Sequence, residues 1–133
     1  EVNALKSFGT NFGMTFQLID DAIDYSSNKK ILGKNTGDDF KEGKITLPII
    51  LAYGRSNDKE KKFWERTISD LNQNDGDFEM ALEIINKYQC IEDTLTRANH
   101  FSNVAVDSVD IFKDNIYKEK LVSLVTKSVS RIY

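Results

Sequence analysis

Asp20, Asp21 and Asp24 lie in the stretch Phe16-Gln17-Leu18-Ile19-Asp20-Asp21-Ala22-Ile23-Asp24, where nearly every other residue is apolar. At about 100° per residue, Gly13, Gln17, Asp20, Asp21 and Asp24 share one arc of a helix, and Phe8, Phe12, Phe16, Ile19 and Ile23 share another. Met14, Leu18 and Ala22 fill much of the remainder, so little of this helix suits water. No Lys or Arg occurs from Ser7 through Asn28. Three like charges in a mostly dry setting would neutralise unless cations arrive from elsewhere. A hard divalent ion with oxygen ligands meets that need, and magnesium bridging to a ligand phosphate is its usual form.

The lysine-rich stretch that follows supplies the second half of the argument. Lys29, Lys30, Lys34, Lys41 and Lys44 alternate with Gly33, Gly37 and Gly43 between positions 29 and 44. Lysine suits phosphate oxygens, and a glycine-rich backbone offers open N–H donors. A solvated loop is the better account of Lys29, Lys30 and Lys41. Acidic ligands followed by a Gly/Lys loop fit a phosphate or diphosphate head with an ion between it and the carboxylates. An EF-hand is disfavoured, because its ligands belong on a loop closed by a bidentate Glu. Zinc is disfavoured because no His or second Cys is near.

Most of the chain reads as helix, since proline occurs once and sustained period-two alternation is missing. The expected helices are Val2 to Ser26, a short one capped by Thr46 with Pro48 in its first turn, and Asp58 to Leu71. Further helices are expected over Asp77 to Tyr88, Ile91 to Phe112 and Tyr117 to Tyr133. Ser27 to Gly43 and Asn72 to Gly76 read as loop and turn. The class is all-α, a helical bundle.

With 133 residues and a net charge of −3, composition points away from disorder and from nucleic-acid binding. The longest apolar run, Ile45 to Tyr53, is too short to span a bilayer. The single Cys90 excludes an intrachain disulfide and is compatible with a reducing cytoplasm. It reads as a buried apolar residue, His100 as a surface or interhelical polar one, and Trp64 as an anchor for a charged helix. Asp38 and Asp39 either aid the metal site or cap the turn, and Asp107, Asp110 and Asp114 read as a solvated face. The chain opens on Glu1 as if inside a helix, which suggests one portion of a longer protein.

The ordered series Gly13-x-x-Phe16-Gln17-x-x-Asp20-Asp21-x-x-Asp24, Gly33-Lys34, Gly37-Asp38 and Gly43-Lys44-x-Thr46-Leu47-Pro48 resembles the trans-isoprenyl diphosphate synthases. Tyr88-Gln89-Cys90-Ile91-Glu92-Asp93-Thr94, with Arg97-Ala98, is similar to the bacterial long-chain, octaprenyl-type members. The resemblance implies that residues 1–133 are the C-terminal portion of an isoprenoid-synthase-type fold, beginning at the second aspartate-rich motif. It implies a magnesium-dependent head-to-tail condensation of isopentenyl diphosphate with an allylic diphosphate. Asp20 would ligate magnesium with help from Asp21 and Asp24. Lys34 and Lys44 would stabilise the leaving diphosphate, and Phe16 and Gln17 would lie beside the reacting ends of the substrates. A homodimer is implied for the full-length form.

The first aspartate-rich motif of that family has no counterpart here, so the chain by itself is expected to be inactive. A non-catalytic subunit or binding module of a heteromeric synthase is the alternative. A terpene cyclase is a third reading, less favoured because of the Gly43-Lys44-x-Thr46-Leu47-Pro48 segment.

Overall fold

The computed structural model describes residues 1–26 and 37–131, and every regular element among them is helical. In chain order these are α1 (Val2–Ile23), α2 (Asp38–Lys41), α3 (Leu47–Arg55), α4 (Asp58–Trp64), a π-helical turn (Glu65–Ser69), α5 (Asp77–Lys87), α6 (Cys90–Ser108) and α7 (Ile116–Ser130). The expected all-α class is therefore observed. Lys29, Lys30, Gly33 and Lys34 lie outside the described residues.

Several helix ends differ from expectation for identifiable reasons. α1 stops at Ile23 rather than Ser26, because Tyr25 and Ser26 donate to the carbonyls of Ala22 and Ile23 in a tightened last turn. Asp24 therefore sits in a turn, not on the helix. The helix expected to reach Leu71 leaves α geometry after Trp64, and the Asp70 N–H reaches back to the Glu65 carbonyl at 3.0 Å. Leu71 then adopts a left-handed φ of 53°. α6 ends at Ser108, earlier than Phe112, and α7 starts at Ile116. There Asn115 caps the N-terminus by accepting from the N–H groups of Tyr117 and Lys118.

Two compact units make up the chain. One comprises residues 1–20 and 95–133, and its core is Phe8, Ala105, Val109 and Val125, with Phe12, Phe112 and Leu121 against it. Ser7 and Ser108 share a hydroxyl hydrogen bond at 2.8 Å, and the buried Thr15 hydroxyl donates to the Ala98 carbonyl at 3.3 Å. α1 is wetter than its composition suggests. Phe8, Thr15, Leu18 and Ile19 are buried, but Val2, Leu5, Met14 and Phe16 are exposed. Apolar spacing says which arcs could be covered but not which of their residues are, since Phe16 is exposed and Leu18 and Ala22 are buried.

The other unit, residues 21–94, is built on Tyr25, Phe40, Ile49, Ala52, Trp64, Ile68, Ala81, Ile84, Ile85 and Cys90. Burial of a side chain such as Trp64 or Ile85 contributes about 2 kcal/mol. Trp64 does anchor the charged helix α4, and its Nε1–H donates to Ser56 Oγ at 3.1 Å. Asn57 and Glu60 form a reciprocal capping box at the start of α4. Arg66 grips Asp77 with two hydrogen bonds of 2.8 and 3.0 Å, which holds the Asp77 carboxyl below its ordinary range. Cys90 is fully buried, and burial pushes its thiol up to about 11.

Candidate functional site

α1 delivers the three aspartates to different surroundings. Asp21 and Asp24 belong to the unit of residues 21–94, with Asp24 fully buried and Asp21 nearly so. Asp24 acts as a hook. Its Oδ2 accepts the backbone N–H of Asp39 at 2.8 Å, and its own carbonyl accepts the N–H of Gly37 at 3.1 Å. The donor from Asp39 is one of the orphan N–H groups in the first turn of α2. Asp38 and Asp39 were readable as caps or as metal helpers, yet the capping group is Asp24, reaching in from the preceding element.

Two glycines bracket α2 and set its ends. Gly37 has φ 93°, and an added Cβ would touch the Phe78 ring at 3.1 Å. Gly43 has φ 66°, and its Cβ would stand 2.6 Å from Leu71 Cδ2 and 2.8 Å from the Ile68 carbonyl oxygen. Only glycine fits there. The backbone N–H of Lys44 then donates to the Asp39 carbonyl at 2.9 Å, and the Lys44 side chain is exposed. Gly37 through Lys44 thus form one turn fastened at its start by Asp24.

Tyr25 completes this neighbourhood. Its ring is buried, and its hydroxyl has no hydrogen-bond partner among the described residues. Burial, then the carboxylates of Asp39, Asp24 and Asp21, drive the phenol far above its ordinary range.

Asp20, Phe16 and Gln17 belong to the other unit. Asp20 is partly exposed and pairs with Arg131, whose Nη1 lies 3.6 Å from Oδ1. The same guanidinium stacks 4.3 Å from the centroid of the Phe16 ring and donates to the Phe16 carbonyl at 3.5 Å. Gln17 is exposed. Among the described residues, no three His, Cys, Asp or Glu side chains are gathered around one point as a metal cluster. Lys34 lies outside the described residues.

Arg131 and Tyr25 were not anticipated. Tyr25 carries a sequence signal, an aromatic residue directly after the last aspartate of an apolar helix. Arg131 carries none, because only the packing of α7 brings it to α1.

Comparison with known proteins places this architecture. A decaprenyl diphosphate synthase from Rhodobacter capsulatus superposes with a TM-score of 0.92 at 35% identity, over 99% of this chain and 41% of that one. A polyprenyl synthase from Caulobacter crescentus CB15, solved with calcium and isoprenyl diphosphate, gives 0.88 at 42% identity, over 96% of this chain and 39% of that one. The fold is therefore the helical fold of the isoprenoid synthases. The model of the family "Polyprenyl synthetase" matches residues 1–85, and the chain belongs to that family. Octaprenyl diphosphate synthase of Haemophilus influenzae is 36% identical over 130 residues, covering 98% of this chain and 39% of the relative. The chain spans about two fifths of the length of the relatives it matches.

Proposed function

We propose that the protein carrying this chain is a magnesium-dependent prenyltransferase that lengthens an allylic diphosphate with isopentenyl diphosphate to a long-chain polyprenyl diphosphate. The observation that carries the reading is the Asp24 hook. One carboxylate fixes the turn from Gly37 to Lys44, so the aspartate-rich helix end and the lysine that closes that turn are parts of a single construction. The donor set suits a hard cation. It consists of carboxylate oxygens, while the only thiol is buried in the core and the only imidazole is exposed on α6.

Asp20, Asp21 and Asp24 would hold magnesium, which supplies positive charge where the leaving diphosphate develops its negative charge. Lys44, with Lys34, would neutralise charge on the same diphosphate. Phe16 and Gln17 would lie beside the reacting hydrocarbon ends. The relatives' names support a polyprenyl product, and by the family resemblance the working form would be a cytoplasmic homodimer.

The chain of 133 residues is proposed to be inactive by itself. The test compares it with the product of the whole coding sequence, each given an allylic diphosphate, isopentenyl diphosphate and magnesium. Chain elongation is expected from the whole protein and none from the 133 residues. Elongation by the 133 residues alone would overturn the inactivity, and no elongation by the whole protein would favour the non-catalytic partner reading.

A further inference from the structure

We propose that Arg131 is the counter-ion that a divalent cation displaces at Asp20. The guanidinium faces the carboxylate in the metal-free protein and is turned away from it when the ion binds, while Arg131 keeps its seat on Phe16. The inference rests on the reading of Asp20 as a metal ligand.

Three observations carry it. The first is the looseness of the pair. At 3.6 Å the contact is longer than the 2.7 to 2.9 Å or so of a charge-assisted hydrogen bond, and both side chains are partly exposed, at 34% and 22%. Such a pair is readily exchanged. The second is that Arg131 does not depend on Asp20 for its place. Its ring contact with Phe16 at 4.3 Å and its donations to the carbonyls of Phe16 and Ser128, at 3.5 and 3.4 Å, do not involve that carboxylate.

The third is exclusivity. A magnesium ion takes carboxylate oxygen at about 2.0 to 2.1 Å and orders its own ligand shell. A guanidinium beside the same oxygen would repel it. The two cations therefore compete, and thermodynamic reciprocity follows: whatever metal loosens Arg131, Arg131 weakens metal by the same factor.

Binding of Mn2+ to the whole protein, followed by the electron paramagnetic resonance of the free ion, tests this with the R131Q, R131K and D20N variants. Circular dichroism confirms that each remains helical. Asp20→Asn is expected to weaken the site at least about tenfold. Arg131→Gln is expected to tighten the same site about three- to fivefold, and Arg131→Lys to fall between it and the parent.

In 15N-labelled protein, Mg2+ is expected to shift the Arg131 Nε–H resonance in the parent and leave it unmoved in D20N. Unchanged or weaker Mn2+ binding by R131Q, with D20N still impaired, overturns the competition and leaves the metal reading standing. Undiminished binding by D20N overturns the metal reading, and the competition with it.

Discussion

A methyl group added at Gly43 would meet Leu71 Cδ2 at 2.6 Å and the Ile68 carbonyl oxygen at 2.8 Å, on a backbone already at φ 66°. Gly43→Ala is expected to cost about 2 to 4 kcal/mol, combining left-handed strain with a displaced neighbour, as a lowered urea midpoint will report. Gly54→Ala is the contrasting case. Gly54 lies inside α3 with open space around its Cα, and alanine there should stabilise by about 0.5 to 1 kcal/mol. Glu60 offers a pH-dependent counterpart. The Tyr88 hydroxyl, then the Asn57 N–H, hold its carboxyl at about 2, with Lys87 adding to the effect. Its folded pKa lies below the unfolded value, so this contribution is complete above about pH 4.5 and is lost as pH falls toward 2. Glu60→Gln should cost about 1 kcal/mol at pH 7 and flatten the acid limb of a thermal-stability profile over that window. Residues whose role depends on their own type were legible in the sequence, such as Trp64 as an anchor or Cys90 as core. Gly43 was legible only as a loop glycine, because Leu71 and Ile68 reach it through the fold.

Among the elements, the junction of α1 with α2 separates structure from chemistry at a single aspartate. Asp24→Ala removes the acceptor of the Asp39 N–H and should lower stability by about 1 to 2 kcal/mol. Asp24→Asn keeps an acceptor oxygen and should retain most of that stability while losing metal affinity. Thermal melts and Mn2+ binding on the two variants would check this, and equal destabilisation by both would show that charge, not the hydrogen bond, holds the turn. The existence of α1, α5, α6 and α7 followed from apolar spacing, and that of α3 from Thr46 and Pro48 at its start. Their ends did not, since they depend on distant partners. Gln73, for example, donates to the carbonyls of both Phe40 and Thr67, closing the π-helical turn against α2, and no local rule reveals that pairing. The aspartate stripe of α1 was legible for the same reason as the helix itself, but helical periodicity hides the turn that removes Asp24 from it.

For the molecule as a whole, class and family were legible because the motifs occur in order along nearly the entire chain. The division into two units was not, since a spacing pattern says which face is buried but not what covers it. The buried phenol of Tyr25 has a consequence at this scale. Its hydroxyl lacks a hydrogen-bond partner among the described residues, so Tyr25→Phe should raise stability at neutral pH by about 1 kcal/mol in a urea melt. In alkali the parent faces a further demand. A folded pKa above the unfolded value near 10 means that the contribution is complete below pH 10 and is lost as pH rises beyond it. The parent should therefore lose stability above pH 10 by an increment that Tyr25→Phe escapes, and its ultraviolet difference spectrum should show this phenolate appearing together with unfolding. Hydroxide thus meets a lock in this protein: the proton comes off one phenol only when residues 21–94 open, and opening is what the base then rewards.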